Sequence, residues 1–198
     1  MAASPVVRSR REQILAVAAE LFARHGFHGV SIADLGAAVG VSGPALYRHF
    51  PGKEALLAEL LVGISEHLLA GGRQRAAASD DPNEVLAALV EFQVAFALRE
   101  PELIVVQDRD LANLSPTARR RVRRLQRTYV EIWVDTLRRA HPGLGVEAAR
   151  VAAHGVFGLL NSTPHSASGE NGRAGGRGPD VAALLRRMAL AALTDLAA

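Results

Sequence analysis

The chain has 198 residues, 49% hydrophobic but only 5% aromatic, with 23 Lys and Arg against 20 Asp and Glu. That suits one compact unit or two closely packed small domains, and the formal charge of +3 is too modest to argue for nucleic acid by itself. Cysteine is absent, which excludes disulfides, thiolate metal sites and a cysteine nucleophile, and agrees with the reducing cytoplasm as the expected location. Alanine and leucine dominate and period-two runs are missing, so the expected fold is all-α, with about nine helices.

Residues 1–7, MAASPVV, read as a flexible arm. Behind it, Arg8, Arg10 and Arg11 either lie along a phosphate backbone or form an ordinary solvated terminus. No apolar run follows them, so no secretory signal is expected. Arg11 to Arg24 is the first helix, with Ile14, Ala18, Leu21 and Phe22 as its buried stripe. Gly26 then supplies the turn and Phe27 plugs a small core.

Ser31 to Phe50, SIADLGAAVGVSGPALYRHF, has the pattern of a helix-turn-helix. Ser31 caps a first helix whose apolar face holds Ile32, Leu35 and Val39. Gly40 ends it, Val41 drops into the shared core, and Ser42 caps a second helix from Gly43 to Phe50. Small residues in the first turn, Gly43, Pro44 and Ala45, let the backbone approach base edges in a major groove. Pro44 is tolerated there because a first turn does not need its N–H. Tyr47, Arg48 and His49 then offer donors for phosphates or bases, while Leu46 and Phe50 face inward. Any one of these residues alone would suit a plain core helix; their order is what points to DNA. Pro51-Gly52 follows, then a helix from Lys53 to about Ala70, where Lys53 beside a helix N-terminus is either a phosphate clamp or solvated surface. Glu59 and Glu66 interrupt this Leu-rich stretch, so no membrane span is expected.

From Arg8 to Leu68 the sequence resembles the TetR family of one-component transcriptional regulators. RREQILAVAAELFARHGFHGVSIADLGAAVGVSGPALYRHFPGKEALLAEL carries the family's ILxAAxxLFxxxGF, TxxxIAxxAGVSxxxLYxHF and KExLL signatures almost in register. Ser31 stands where Thr is usual and keeps the hydroxyl. Gly36 stands where Ala is usual, which should weaken its helix by roughly 1 kcal/mol. The resemblance implies an N-terminal three-helix helix-turn-helix domain over residues 8–68 and a helical ligand-binding and dimerisation domain over residues 69–198. It also implies that the last two helices form a four-helix dimer bundle.

Gly71-Gly72 reads as the start of a linker ending at Asp81-Pro82. Ser79 or Asp81 caps a helix through Arg99 with Val85, Leu89, Phe92 and Phe96 on one side. A short apolar piece, Leu103 to Leu111, carries Gln107, Asp108, Arg109 and Asp110. Ser115-Pro116 opens the longest helix, to about Ala140, with Val122, Leu125, Tyr129, Ile132, Trp133 and Leu137 as its stripe. Six arginines from Arg119 to Arg127 crowd its first half. They make a solvated basic face, a grip for the phosphates of a coenzyme A ester or another anion, or an auxiliary DNA contact. Val146 to about Asn161 is the next helix, where Gly155 and Gly158 suggest close packing by another helix. Residues 162–179 read as a mobile loop, and Asp180 caps a last helix, Val181 to Leu196, greasier than its own domain needs.

A ligand pocket is expected among the middle helices. Phe96, Asp108, Tyr129, Trp133, His154 and Asn161 are the candidate liners; Phe92, Val105 and Phe157 fit ordinary core better. A large apolar cavity with few polar anchors would suit a lipid-like or acyl effector, such as an acyl-CoA. Gly155, Gly158, Leu184 and Met188 are placed at a homodimer interface. The DNA-binding set is Ser31, Ser42, Gly43, Pro44, Ala45, Tyr47, Arg48, His49 and Lys53, reading a palindromic operator. Nothing has catalytic or metal-ligand spacing and no cofactor is expected, which speaks against an enzyme. A helical dimer that only scaffolds other proteins is the remaining alternative.

Overall fold

The computed structural model describes residues 9–163 and 180–196, so the expected arm and all but the start of the expected 162–179 loop lie outside the described residues. Those residues form nine α-helices and no strand. In chain order they are α1 (Arg10–His25), α2 (Ile32–Val39), α3 (Gly43–Tyr47), α4 (Lys53–Ala76), α5 (Pro82–Arg99), α6 (Pro101–Asp110), α7 (Pro116–Ala140), α8 (Val146–Leu160) and α9 (Val181–Thr194), with a 3₁₀ turn at Leu111–Asn113.

Local chemistry sets most helix starts. Ser9 and Ser31 each close a capping box, with Glu12 and Asp34 returning the bond to the cap backbone. Asp81, Ser115 and Asp180 accept from backbone N–H groups of the first turns of α5, α7 and α9. Ser42 differs from the sequence reading: it occupies the N-cap position of α3, but its side chain makes no cap hydrogen bond. Gly40 ends α2 in the left-handed region at φ 69°, ψ 37°, where a side chain would be strained.

Two apolar cores result. The first joins Ile14, Ala18 and Phe22 of α1, Leu35 of α2, Leu46, Phe50 and the Leu56–Leu61 stretch of α4, and is closed by Val106, Leu114 and Val122 from far along the chain. The second gathers α5, α7, α8 and α9 around Trp133, with Leu68 and Leu69 of α4. Helix α4 therefore belongs to both cores, and the linker expected at Gly71-Gly72 does not exist. The helix runs through to Ala76 with both glycines buried. A Cβ on Gly71 would sit 2.2 Å from the Phe92 ring, and one on Gly72 2.6 Å from the Tyr129 ring. The glycines let α5 and α7 pack against α4; they do not break it. By length and composition α4 is also apolar enough to cross a membrane, but half of its most apolar stretch is buried in these cores.

Candidate nucleic-acid interface and small-molecule cavity

Helix α3 is only five residues long and owes its position to its neighbours. The turn before it folds back on α2 through Val41 N–H donating to the Gly36 carbonyl at 2.8 Å. Leu46 and Phe50 are buried in the first core. Ser42, Pro44, Tyr47 and Arg48 are exposed, Tyr47 to 54%, while Gly43, Ala45 and His49 are half-buried. The expected small-residue turn and the polar donors thus share one open surface.

The basic residues of α1 hold this surface and do not extend it. Arg10 donates to the Val39 carbonyl at 2.8 Å. Arg11 donates to the His49 carbonyl at 2.6 Å, pairs with Glu59 of α4, and lies 4.2 Å over the Phe50 ring. The hydrogen bond with Glu59 raises the Arg11 pKa further. Neither guanidinium is the free phosphate contact that sequence position suggests; both tie the ends of α2 and α3 to the domain. Arg8 lies outside the described residues.

Lys53 is held in the same way. Its Nζ donates to the carbonyls of Phe27 and Val30 at 2.9 Å each and sits 4.5 Å from the Phe27 ring centre. The ammonium straps the α1–α2 turn to the start of α4. Ser31 is likewise occupied, since its hydroxyl donates to Asp34 Oδ2 at 2.6 Å and accepts from the Asp34 N–H at 3.1 Å. These bonds hold the Asp34 carboxyl below its ordinary pKa.

A third group of residues connects the two cores. Arg109 of α6 donates to the Ala23 carbonyl at 3.1 Å, near the end of α1, and to that of Phe22, which also accepts the Gly26 N–H. Asp110, 3% exposed, accepts from the Phe27 N–H at 3.4 Å and pairs with Arg109. Asn113 meets the His28 ring at 2.9 Å. The charged run from Gln107 to Asp110 stands out in the sequence, but its partners 83 to 87 residues away cannot be found there.

The residues just before this latch, Gln107 and Asp108, line a cavity of about 350 Å³ between α4, α5, α6, α7 and α8. Asp108, Tyr129, His154 and Asn161 lie on its wall as expected, and Phe157 joins them. Two expected liners do not. Phe96 faces a separate groove between α1, α4 and α5, and Trp133 is wholly enclosed in the second core. The indole is packed by Phe157 and Tyr129, with ring centres 5.0 and 6.3 Å away, and fills the space behind the wall. Missed from sequence were Ser65, Gln93 and Gln126. The Tyr129 hydroxyl donates to Gln93 Oε1 at 3.0 Å, and Gln93 Nε2 donates to Asn161 Oδ1 at 3.0 Å. Burial drives the Tyr129 phenol well above its ordinary pKa, so it stays a neutral donor. The expected large apolar cavity is therefore small, with an amide-rich wall interrupted by Leu68, Leu111, Val130 and Phe157.

On the far side of α8 and α9, Gly155, Gly158, Leu184 and Met188 are exposed, Met188 to 46%, beside Val151 at 72%. A Cβ on either glycine would touch nothing within 4 Å. Among the described residues, nothing packs against the two glycines.

Residues 14–60 match the model of the bacterial regulatory proteins of the tetR family, and residues 79–167 match that of the tetracyclin repressor-like C-terminal domain. The HTH-type transcriptional repressor KstR2 of Mycobacterium tuberculosis is 29% identical over 134 residues, 66% of this chain and 66% of that protein, so the match spans just under two thirds of the relative. Among solved structures, a TetR-family regulator from Bordetella parapertussis superposes with a TM-score of 0.82 at 25% identity over 96% of each chain. AibR, crystallised with isovaleryl coenzyme A and operator DNA, shares the fold with a TM-score of 0.74 at 18% identity over 92% of this chain and 96% of its own.

Proposed function

We propose that this chain, which belongs to the tetR family of bacterial regulatory proteins, is a ligand-responsive transcriptional regulator that binds a palindromic operator as a homodimer and represses until an effector releases it. The observation that carries the reading is the surface of α3, where Pro44 and the donors Tyr47 and Arg48 are exposed and Gly43, Ala45 and His49 half-buried beside them, over a buried Leu46 and Phe50. Gly43 and Ala45 approach base edges, with Pro44 shaping the turn; Ser42, Tyr47, Arg48 and His49 meet phosphates. Ser31 and Lys53 support this surface through the α2 cap and the strap across the α1–α2 turn, with any phosphate contact secondary to those bonds. Acting on DNA, the protein works in the cytoplasm.

The exposed apolar face of α8 and α9 supports the dimer, because Val151, Leu184 and Met188 gain from cover by a second copy and the two glycines allow close approach. Twofold symmetry then presents two α3 helices to half-sites ~34 Å apart. The repressor reading is supported by KstR2, which is named a repressor.

The cavity receives the effector. Its 350 Å³ and its amide wall favour a short acyl-type group with a hydrogen-bonding part over a long lipid chain; AibR was crystallised with a short acyl thioester. Helix α6 carries the signal: Gln107 and Asp108 face the ligand while Arg109 and Asp110 hold the end of α1. A ligand that shifts α6 by a fraction of a turn disturbs the latch, and coupling of about 1–3 kcal/mol changes occupancy 5- to 150-fold. The test replaces Tyr47 and His49 with Ala. Loss of operator binding by a protein that still sediments as a folded dimer supports the regulator, whereas unchanged retention of DNA would leave a scaffold as the better reading.

A further inference from the structure

The arginine face of α7 is not used by any of this. Arg120, Arg121, Arg123, Arg124 and Arg127, with Thr117, line an open hollow of about 580 Å³ to which no other described residue contributes. Among the described residues only Arg121 has an acidic partner, Glu66 of α4 at 2.5 Å. The sequence from residue 111 to residue 130 contains no Asp or Glu at all. Without the six guanidinium groups from Arg119 to Arg127 the chain would be net acidic. Arginines three and four residues apart repel along a helix, and they crowd the N-terminal half of α7, where the helix dipole already disfavours cations. The folded chain does not need this density of charge; a bound polyanion would turn the repulsion into attraction.

We propose that this face binds a polyphosphate, meaning a small molecule carrying three or more linked phosphates. Successive turns of α7 each add a guanidinium about 5 Å further along the axis, which matches a chain of phosphates better than a single one. Guanidinium forks bind phosphate oxygens in pairs, and several exposed forks together tolerate the flexibility of such a chain. The operator duplex is a poorer occupant. Glu66, which marks the position of Arg121, lies thirteen residues along α4 from Lys53, and that is about 20 Å from the end of α4 beside α3. The assignment holds whether or not α3 reads DNA. The occupant is a free polyphosphate: Gln126, between Arg123 and Arg127, lines the cavity, but none of the arginines does.

The test titrates sodium tripolyphosphate into the full chain by calorimetry at constant ionic strength, comparing it with the Arg123→Gln/Arg124→Gln/Arg127→Gln variant. Binding to the native chain and at least tenfold weaker binding to the variant is the expected result, with the variant melting no lower than the native chain because repulsion has been removed. Equal binding by the variant, or a native response reproduced by sulfate at the same ionic strength, overturns the proposal. So does displacement by a random DNA duplex at a lower phosphate concentration, which would make the face a nucleic-acid contact.

Discussion

The DNA-facing head and the cavity are both surfaces of helices, but they are stiffened in opposite ways. In the head, the capping boxes at Ser9 and Ser31 close over three residues, and Arg10, Arg11 and Lys53 each tie to distant backbone carbonyls, Arg11 pairing with Glu59 as well. Backbone is fixed to backbone, leaving the reading side chains unengaged. In the cavity the polar side chains bond to one another, Tyr129 to Gln93 and Gln93 to Asn161, linking α7, α5 and the end of α8. A ligand that inserts a polar group there can exchange partners with the wall, whereas nothing in the head rearranges so readily. A rigid reader and a rearrangeable sensor joined by α6 are what a switch requires.

The sharpest way to break this comparison is to spoil the reader without touching its stiffening. A Cβ on Gly43 would come no closer than 4.0 Å to Ile32, so Gly43→Glu folds normally while a carboxylate meets the DNA. Specific affinity should fall roughly 100-fold or more in a gel-shift titration, with an unchanged melting temperature. The joint comes next. Arg109→Ala leaves the Ala23 carbonyl of α1 without its side-chain donor and that of Phe22 with one donor instead of two, and should keep DNA binding within a few-fold but abolish most of the effector response, a coupling of about 1–3 kcal/mol. A full response in that variant would show that α6 is not the route.

Smaller effects probe the stiffening itself. Gly71→Ala drives a methyl into the Phe92 ring and should cost about 1–3 kcal/mol, read as a lower denaturation midpoint. Ser31→Ala removes a capping box and should cost about 1 kcal/mol, lowering the melting temperature by roughly 2–4 °C. The loss from Ser31→Ala has a pH signature. Because the folded Asp34 carboxyl has a lowered pKa, its contribution is present above the ordinary carboxylate value of 3.8 and disappears as pH falls through the depressed one, so native chain and variant should converge in acid.

The head was legible in the sequence because its parts are contiguous and each has a local cause: the hydroxyl of Ser31, the left-handed Gly40, the spacing of Ile14, Ala18 and Phe22. Legibility failed where the cause was distant. Arg11 read as a phosphate contact or a solvated terminus, and Lys53 as a phosphate clamp or solvated surface, since nothing nearby claims them; the carbonyls they meet are 38 and 23 to 26 residues away. Gly71-Gly72 read as a linker because composition cannot tell a flexible glycine from one pressed under an aromatic ring. Gly36 gives the same lesson in energetic form. Propensity alone says that Ala would strengthen α2, yet a Cβ there would lie 2.8 Å from the Val41 carbonyl, so the local turn offsets the gain. Four of the six candidate liners, Asp108, Tyr129, His154 and Asn161, lie on the cavity wall, but Gln93 and Gln126, on faces that read as ordinary helix, were not anticipated.

The central claim is that α3 reads a sequence. The direct measurement is to pass fragmented genomic DNA from the protein's own source over the purified chain, wash with rising salt, and sequence what is retained. The expected result is a small set of fragments sharing one palindrome, its half-sites about one helical turn apart, which disappears with Gly43→Glu. Retention that fades with salt and enriches no common sequence would contradict the claim, because phosphate attraction without base reading behaves in that way.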